Sequence, residues 1–415
     1  MANKPNSKRA RKSVTSAHQA APRAVSEMKD SVRRTRNTPM RSFDEPRPGT
    51  SGNRVEGSRG RPDLPPGTRQ CRNRHATGMG SAPVPIRANP ASRSAVRIHE
   101  CFLKGDAIKR TPAFEEKGLA QFAVNVGLKC SHGCTYCSTG TMLRMHTAFR
   151  EAGENPFEHG YAMVDTAMPE RVAVAARSRR SRGLIQLCTT VDAWAEEARR
   201  HDLGRRCLQA MLNEPGWSVR VLTKNAAVAK DFDLISKHRD RVLVGLSLTA
   251  PPSKSAIMQV VEPNASPIQE RMAALREAHA MGLRTYAMLC PLLPGISDDE
   301  KSISELVDFA LSCGAEEFFA EPVNSRGPGL RLTHQALEAA GYHAEAEAVG
   351  AIRREKSWSS YVVRLLGTLQ RVLGERGQTE KLRFLLYPTG LTPADLALVR
   401  ENDTGVKWLG PSRRR

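Results

Sequence analysis

Past about residue 98 the chain alternates short apolar runs with longer stretches whose apolar positions recur every three or four residues, the pattern of parallel β/α units. Six runs read as strands: Phe122-Ala-Val-Asn-Val-Gly127, Gly183-Leu-Ile-Gln-Leu-Cys188, Ser218-Val-Arg-Val-Leu-Thr223, Val242-Leu-Val-Gly-Leu-Ser-Leu248, Thr285-Tyr-Ala-Met-Leu-Cys290 and Glu317-Phe-Phe-Ala320. Between the fourth and fifth lies a clear helical stretch at 266–281, with Ser266 as N-cap, Pro267 at the first helical position and Gly282 as the stop. Right-handed crossovers curl six such units into an α/β fold, a partial (β/α)6 TIM-like barrel, in which chemistry collects at the carboxyl ends of the strands. Residues 350–400 add an amphipathic helix around 361–373 and the apolar run Phe384-Leu-Leu-Tyr387, expected to cover one end of the barrel. The chain thus divides into a segment 1–97 without periodicity, a barrel at 98–325 and a helical C-terminal extension at 326–415.

Charge sharpens that division. The net charge is +20, and residues 1–97 carry 21 Lys or Arg against 6 Asp or Glu. This segment is rich in Pro, Gly and Ser and poor in large apolar residues, so burial cannot offset its ordering entropy, and a disordered basic N-terminal arm is expected. Such an arm can hold DNA or RNA through phosphate contacts, although a solvated tail has the same composition. The whole chain is globular in composition, with 40% hydrophobic and 26% charged residues. No run approaches the roughly 20 apolar residues that span a bilayer, and the first residues lack an apolar signal segment, so a cytoplasmic protein without a membrane partner is expected. Nine cysteines in no regular framework fit a reducing compartment.

Three of those cysteines share one loop, Cys130-Ser-His-Gly-Cys134-Thr-Tyr-Cys137, just after the first strand run. Two metal chemistries fit this spacing. His132 could complete a Cys3His zinc set, making a non-catalytic nucleic-acid-binding module with the basic arm. Zinc modules normally add a second ligand pair far along the chain, and none is visible. Alternatively, three thiolates hold a [4Fe–4S] cluster and leave one iron open for a ligand. Neither a Gly-x4-Gly-Lys-Ser/Thr loop nor a Gly-x-Ser-x-Gly elbow occurs, which removes support for nucleotide hydrolysis and serine esterase chemistry.

The C-x3-C-x2-C loop at the end of a strand resembles that of the radical S-adenosylmethionine enzymes. The order continues with Cys188-Thr-Thr-Val-Asp192, Leu222-Thr-Lys-Asn225, Gly245-Leu-Ser-Leu248, Glu262-Pro with Arg271, and Pro291-Leu-Leu-Pro-Gly295, and over about 98–325 it resembles the spore photoproduct lyase-like group. The resemblance implies that Cys130, Cys134 and Cys137 hold a [4Fe–4S] cluster whose open iron chelates S-adenosylmethionine. It further implies that Lys224 reaches the cofactor carboxylate, Ser247 meets the cofactor, and Asp192 hydrogen bonds its amino or ribose groups. Glu196 and Glu197 could share that last role or simply form the acidic first turn of a helix. A reduced cluster would cleave the cofactor to a 5′-deoxyadenosyl radical for hydrogen abstraction, with an electron donor such as flavodoxin or ferredoxin. Cys188 resembles the lyase cysteine that returns a hydrogen atom to the substrate radical, and it equally fits a small core residue. Tyr136 matches within the motif, whereas Ser138 stands where the lyase has its radical-relay tyrosine, against thymine-dimer repair. The implied substrate class is a nucleic-acid lesion or nucleobase, with a protein or small molecule as the alternative.

Overall fold

The computed structural model describes residues 96–410 except residue 326, so the basic segment, but for its last two residues, lies outside the described residues. Eight parallel strands form the wall: β1 Phe122–Val124, β2 Leu184–Leu187, β3 Ser218–Thr223, β4 Val242–Ser247, β5 Arg284–Leu292, β6 Ala315–Pro322, β7 Leu382–Leu386 and β8 Val406–Trp408. They are hydrogen-bonded in that order, and the short strand Lys109–Arg110 adds an antiparallel edge beside β1. The six expected strands are therefore β1 to β6. The extension expected to be helical also supplies two further strands, and the run at 384–387, expected over a barrel end, falls largely in β7, parallel to β6.

Alternation along the strands sorts side chains to the two faces of the curled sheet. Leu243, Tyr286, Met288, Phe319 and Leu385 form an inner apolar set together with Leu119 and Leu409. Val244, Leu246, Leu289, Phe318 and Phe384, at the alternate positions, pack in the larger outer core with helices such as α1 Leu203–Leu212 and α2 Ile268–Ala280. Leu119 belongs to residues 112–121, the turn between the edge strand and β1. This segment also accepts a hydrogen bond from Arg220 Nε at Leu119 O (3.0 Å) and from Gly410 N at Glu116 Oε2 (3.5 Å). It therefore bridges from the strand β3 wall to the residues just after β8.

Two sequence expectations shift locally. α2 begins at Ile268 with Pro267 as its N-cap residue, because the Ser266 hydroxyl accepts Ala226 N at 3.0 Å instead of capping its own helix. Gly282, with φ +70°, ends the helix as expected. The run 122–127 is divided: after β1 the chain crosses to a three-stranded sheet of Arg97–Glu100, Tyr161–Val164 and Gly127–Lys129. On the inner face, a Cβ at Gly245 would lie 2.4 Å from the Tyr286 ring, whose hydroxyl spans to Val221 O at 2.9 Å. Gly245→Ala should therefore cost about 1–3 kcal/mol by overpacking, read as a lower thermal midpoint; an unchanged midpoint would contradict this packing.

Candidate active site

The cysteine loop leaves the small sheet at Lys129 and lies where the carboxyl ends of β2, β3 and β4 converge. Cys134 is buried, Cys130 half-buried and Cys137 exposed. All three line one cleft, whose other walls include Phe149, Phe157, His159, Thr190 and Leu332. Among the described residues no three His, Cys, Asp or Glu groups converge on a single-ion site. His132 is turned from the cleft: its Nδ1 lies 3.6 Å from Asp192 Oδ2 and its buried Nε2 has no protein partner. As free thiols, Cys130 and Cys134 are pushed up by burial, Cys134 to about 12, with Glu197 and Glu262 respectively adding to the effect. Iron coordination would deprotonate them.

The loop is held from both sides. Asn264, in the segment after β4, donates from its backbone to His132 O (3.2 Å) and from its side chain to Ser131 O (2.9 Å), while Thr135 N donates to Val261 O (2.9 Å). Gly133 has φ +66°, which a side chain would resist. Gly329 lets the chain pass under Tyr136, since a Cβ there would lie 2.8 Å from Tyr136 O.

Beneath the loop sits a buried ionic network. Glu262 accepts hydrogen bonds from the Tyr136 hydroxyl, Arg271 Nη2 and Thr249 Oγ1 (3.2 Å), and Lys224 Nζ lies 3.7 Å from it. Burial alone would raise the Glu262 carboxyl, but Arg271 and Lys224 override it and hold it down to about 2. Arg271 also donates to Ser247 O (3.1 Å) and Ser266 O (2.7 Å). Glu262 and Arg271 thus belong to a five-residue node joining the cysteine loop to the ends of β3 and β4.

Lys224 and Ser247 follow the alternation of the inner residues Leu222 and Leu243, so both stand on the inner face at the carboxyl ends of their strands. Lys224 Nζ also donates to Cys290 O at 3.3 Å. Asp192 is engaged within the protein: Thr223 Oγ1 (2.7 Å), Lys224 N (2.8 Å) and Trp194 N (2.9 Å) all donate to it. It braces the ends of β2 and β3 against each other. Tyr136 points its hydroxyl into the Glu262 node, not into the cleft.

The structure does not bring Cys188 to the cleft. Its backbone has φ +64°, uncommon outside glycine, and its N–H donates to Val124 O at 2.7 Å. The next two amides, Thr189 and Thr190, donate to Asn125 Oδ1 at 2.7 and 3.1 Å. The thiol is buried beside backbone of Val126 and Ala193, with Asp192 and Cys207 near it, and burial pushes it well up. From this place, outside the lining of the cleft, Cys188→Ala is expected to leave S-adenosylmethionine cleavage and the product distribution unchanged in an anaerobic turnover assay. A new abortive product in that variant would restore the donor role. Sequence reading did not find His159, Phe149 or Leu332, because nothing in their spacing marks them as neighbours of the cysteines.

With this geometry in view, residues 124–307 match the radical SAM superfamily. That match takes in the cysteine loop and β2 to β5, and it supports an enzyme of the radical SAM class. It is 24% identical over 221 residues to uncharacterized protein ORF301 of Acidianus two-tailed virus, covering 52% of this chain and 71% of that one. It is 22% identical over 190 residues to uncharacterized protein MJ0683 of Methanocaldococcus jannaschii, covering 46% and 67%. A match of 24% over 202 residues to uncharacterized protein Mb2609c of Mycobacterium bovis spans 56% of that protein. Among solved structures, a spore photoproduct lyase variant shares 15% identity with a TM-score of 0.49, covering 68% of this chain and 81% of that chain. Among the described residues no helix is long and apolar enough to cross a membrane.

Proposed function

We propose that Cys130, Cys134 and Cys137 bind a [4Fe–4S] cluster and that the enzyme uses S-adenosylmethionine to abstract hydrogen from a nucleic-acid lesion or nucleobase. The observation that carries the first part is the sharing of one cleft by three thiols at the carboxyl ends of parallel strands. When bound, the cluster supplies the electron that cleaves the cofactor to methionine and a 5′-deoxyadenosyl radical. The protein's part is placement. Lys224, with its ammonium on the inner face, suits the cofactor carboxylate, and Ser247 offers a hydroxyl one strand further on. The Glu262 node fixes the second half of the cysteine loop over them, and the apolar walls at Phe149, Phe157 and Leu332 limit water.

The substrate class is supported by the charge of residues 1–97, a phosphate-seeking segment whatever its conformation. An electron carrier such as flavodoxin or ferredoxin is the fitting donor for the cluster, and Cys137, exposed, is the ligand nearest to solvent. The test is anaerobic: 5′-deoxyadenosine is quantified for the reconstituted enzyme with ultraviolet-damaged DNA, undamaged DNA, RNA and no addition, at low and high salt. The proposal expects salt-sensitive stimulation by one nucleic acid. Cleavage indifferent to all of them would move the substrate to a protein or small molecule.

A further inference from the structure

Glu197 lies ten residues past the end of β2, in the short helix Glu196–Arg199, where an acidic side chain would ordinarily face water. Here its neighbour does so, pairing with Arg200 in solvent, while Glu197 is 3% exposed. Its Oε1 accepts the backbone N–H of Ser131 at 3.1 Å, and its Oε2 is buried without a protein partner. Ser131 is the residue next to Cys130, on the half of the loop that the Glu262 node does not reach. Asn264 also bonds this half at Ser131 O, and Asp192 lies beside His132. Burying a carboxylate costs free energy, and burial indeed raises its pKa, so the fold bears a penalty for putting this group against the loop.

We infer that Glu197 is a positioning residue for Cys130: by accepting the Ser131 amide it fixes the direction in which the first cysteine enters the cleft. The inference rests on the cluster reading above. The loop has two halves with separate supports, Tyr136 to Glu262 for the second and Ser131 to Glu197 for the first. A three-thiolate cluster has no spare protein ligand, so misplacing one cysteine leaves it weakly held.

The test uses the full chain, reconstituted anaerobically, as wild type, E197A, E197Q and E197D. The readouts are iron and sulfide content, the rate of iron loss to a chelator, and the electron paramagnetic resonance spectrum after dithionite reduction. E197A and E197D, which cannot reach Ser131, should lose iron about tenfold faster, the factor expected for one lost hydrogen bond. Their spectra should differ from wild type. E197Q keeps an acceptor of the same reach and should restore both. Thermal melts of the apo chains identify variants that fail to fold, and if E197A does, E197D and E197Q decide. E197A or E197D holding iron like wild type, or E197Q failing like E197A, would overturn the inference. A wild-type chain that loads no cluster would instead overturn the reading beneath it.

Discussion

Glu262→Gln is expected to lower the stability of the apo protein by about 3–5 kcal/mol, the range for breaking a buried ion pair by removing one partner. Arg271 is buried, and the substitution leaves its charge facing only neutral acceptors, among them the Ser247 and Ser266 carbonyls; Lys224 loses its nearby anion and Tyr136 its charged acceptor. The pH dependence follows from the same network. The folded-state pKa of Glu262 is depressed from its ordinary 4.5 to about 2, so its contribution is complete above about 4.5 and is lost as pH falls toward 2. Urea melts of wild type and Glu262→Gln should therefore differ most at neutral pH and converge on acidification. Equal midpoints at pH 7 would show that the node does not support the fold.

The second large effect concerns the metal. Cys134→Ala should reduce iron from about four per chain to near zero after reconstitution, because two thiolates cannot hold the cube that three can. Buried Cys134 behaves as a small apolar residue in the apo chain, so its melting curve should change little. Loss of iron with an intact melt separates ligand loss from unfolding. Full iron loading of the variant would show that the cleft is not where the cluster binds.

Much of this architecture is legible in the chain because parallel strands covered on both faces read as continuous apolar runs, as at 218–223 and 242–248. The cysteine spacing is equally plain. β8 is three half-buried residues, Val-Lys-Trp, with no periodicity to reveal it. The break after β1 depends on Asn125, whose side chain binds amides 64 and 65 residues away. Cys188 illustrates a sharper limit. Its place in a Cys-Thr-Thr segment resembles a catalytic cysteine, yet its backbone is left-handed and it does not line the cysteine cleft. Glu262, Arg271, Tyr136 and Lys224 come from four separate stretches, so their meeting in one buried node is a product of the fold and not of local spacing. Glu197 and Glu196 look alike in sequence, and only the backbone of the cysteine loop, arriving from 66 residues earlier, distinguishes them.

The most direct test of the central claim is the amount of 5′-deoxyadenosine formed when the anaerobically reconstituted, dithionite-reduced protein is given S-adenosylmethionine, with iron and sulfide measured on the same sample. The account predicts about four iron and four sulfide per chain, and 5′-deoxyadenosine from wild type but not from Cys134→Ala. Zinc without sulfide, and no 5′-deoxyadenosine under any condition, would contradict it.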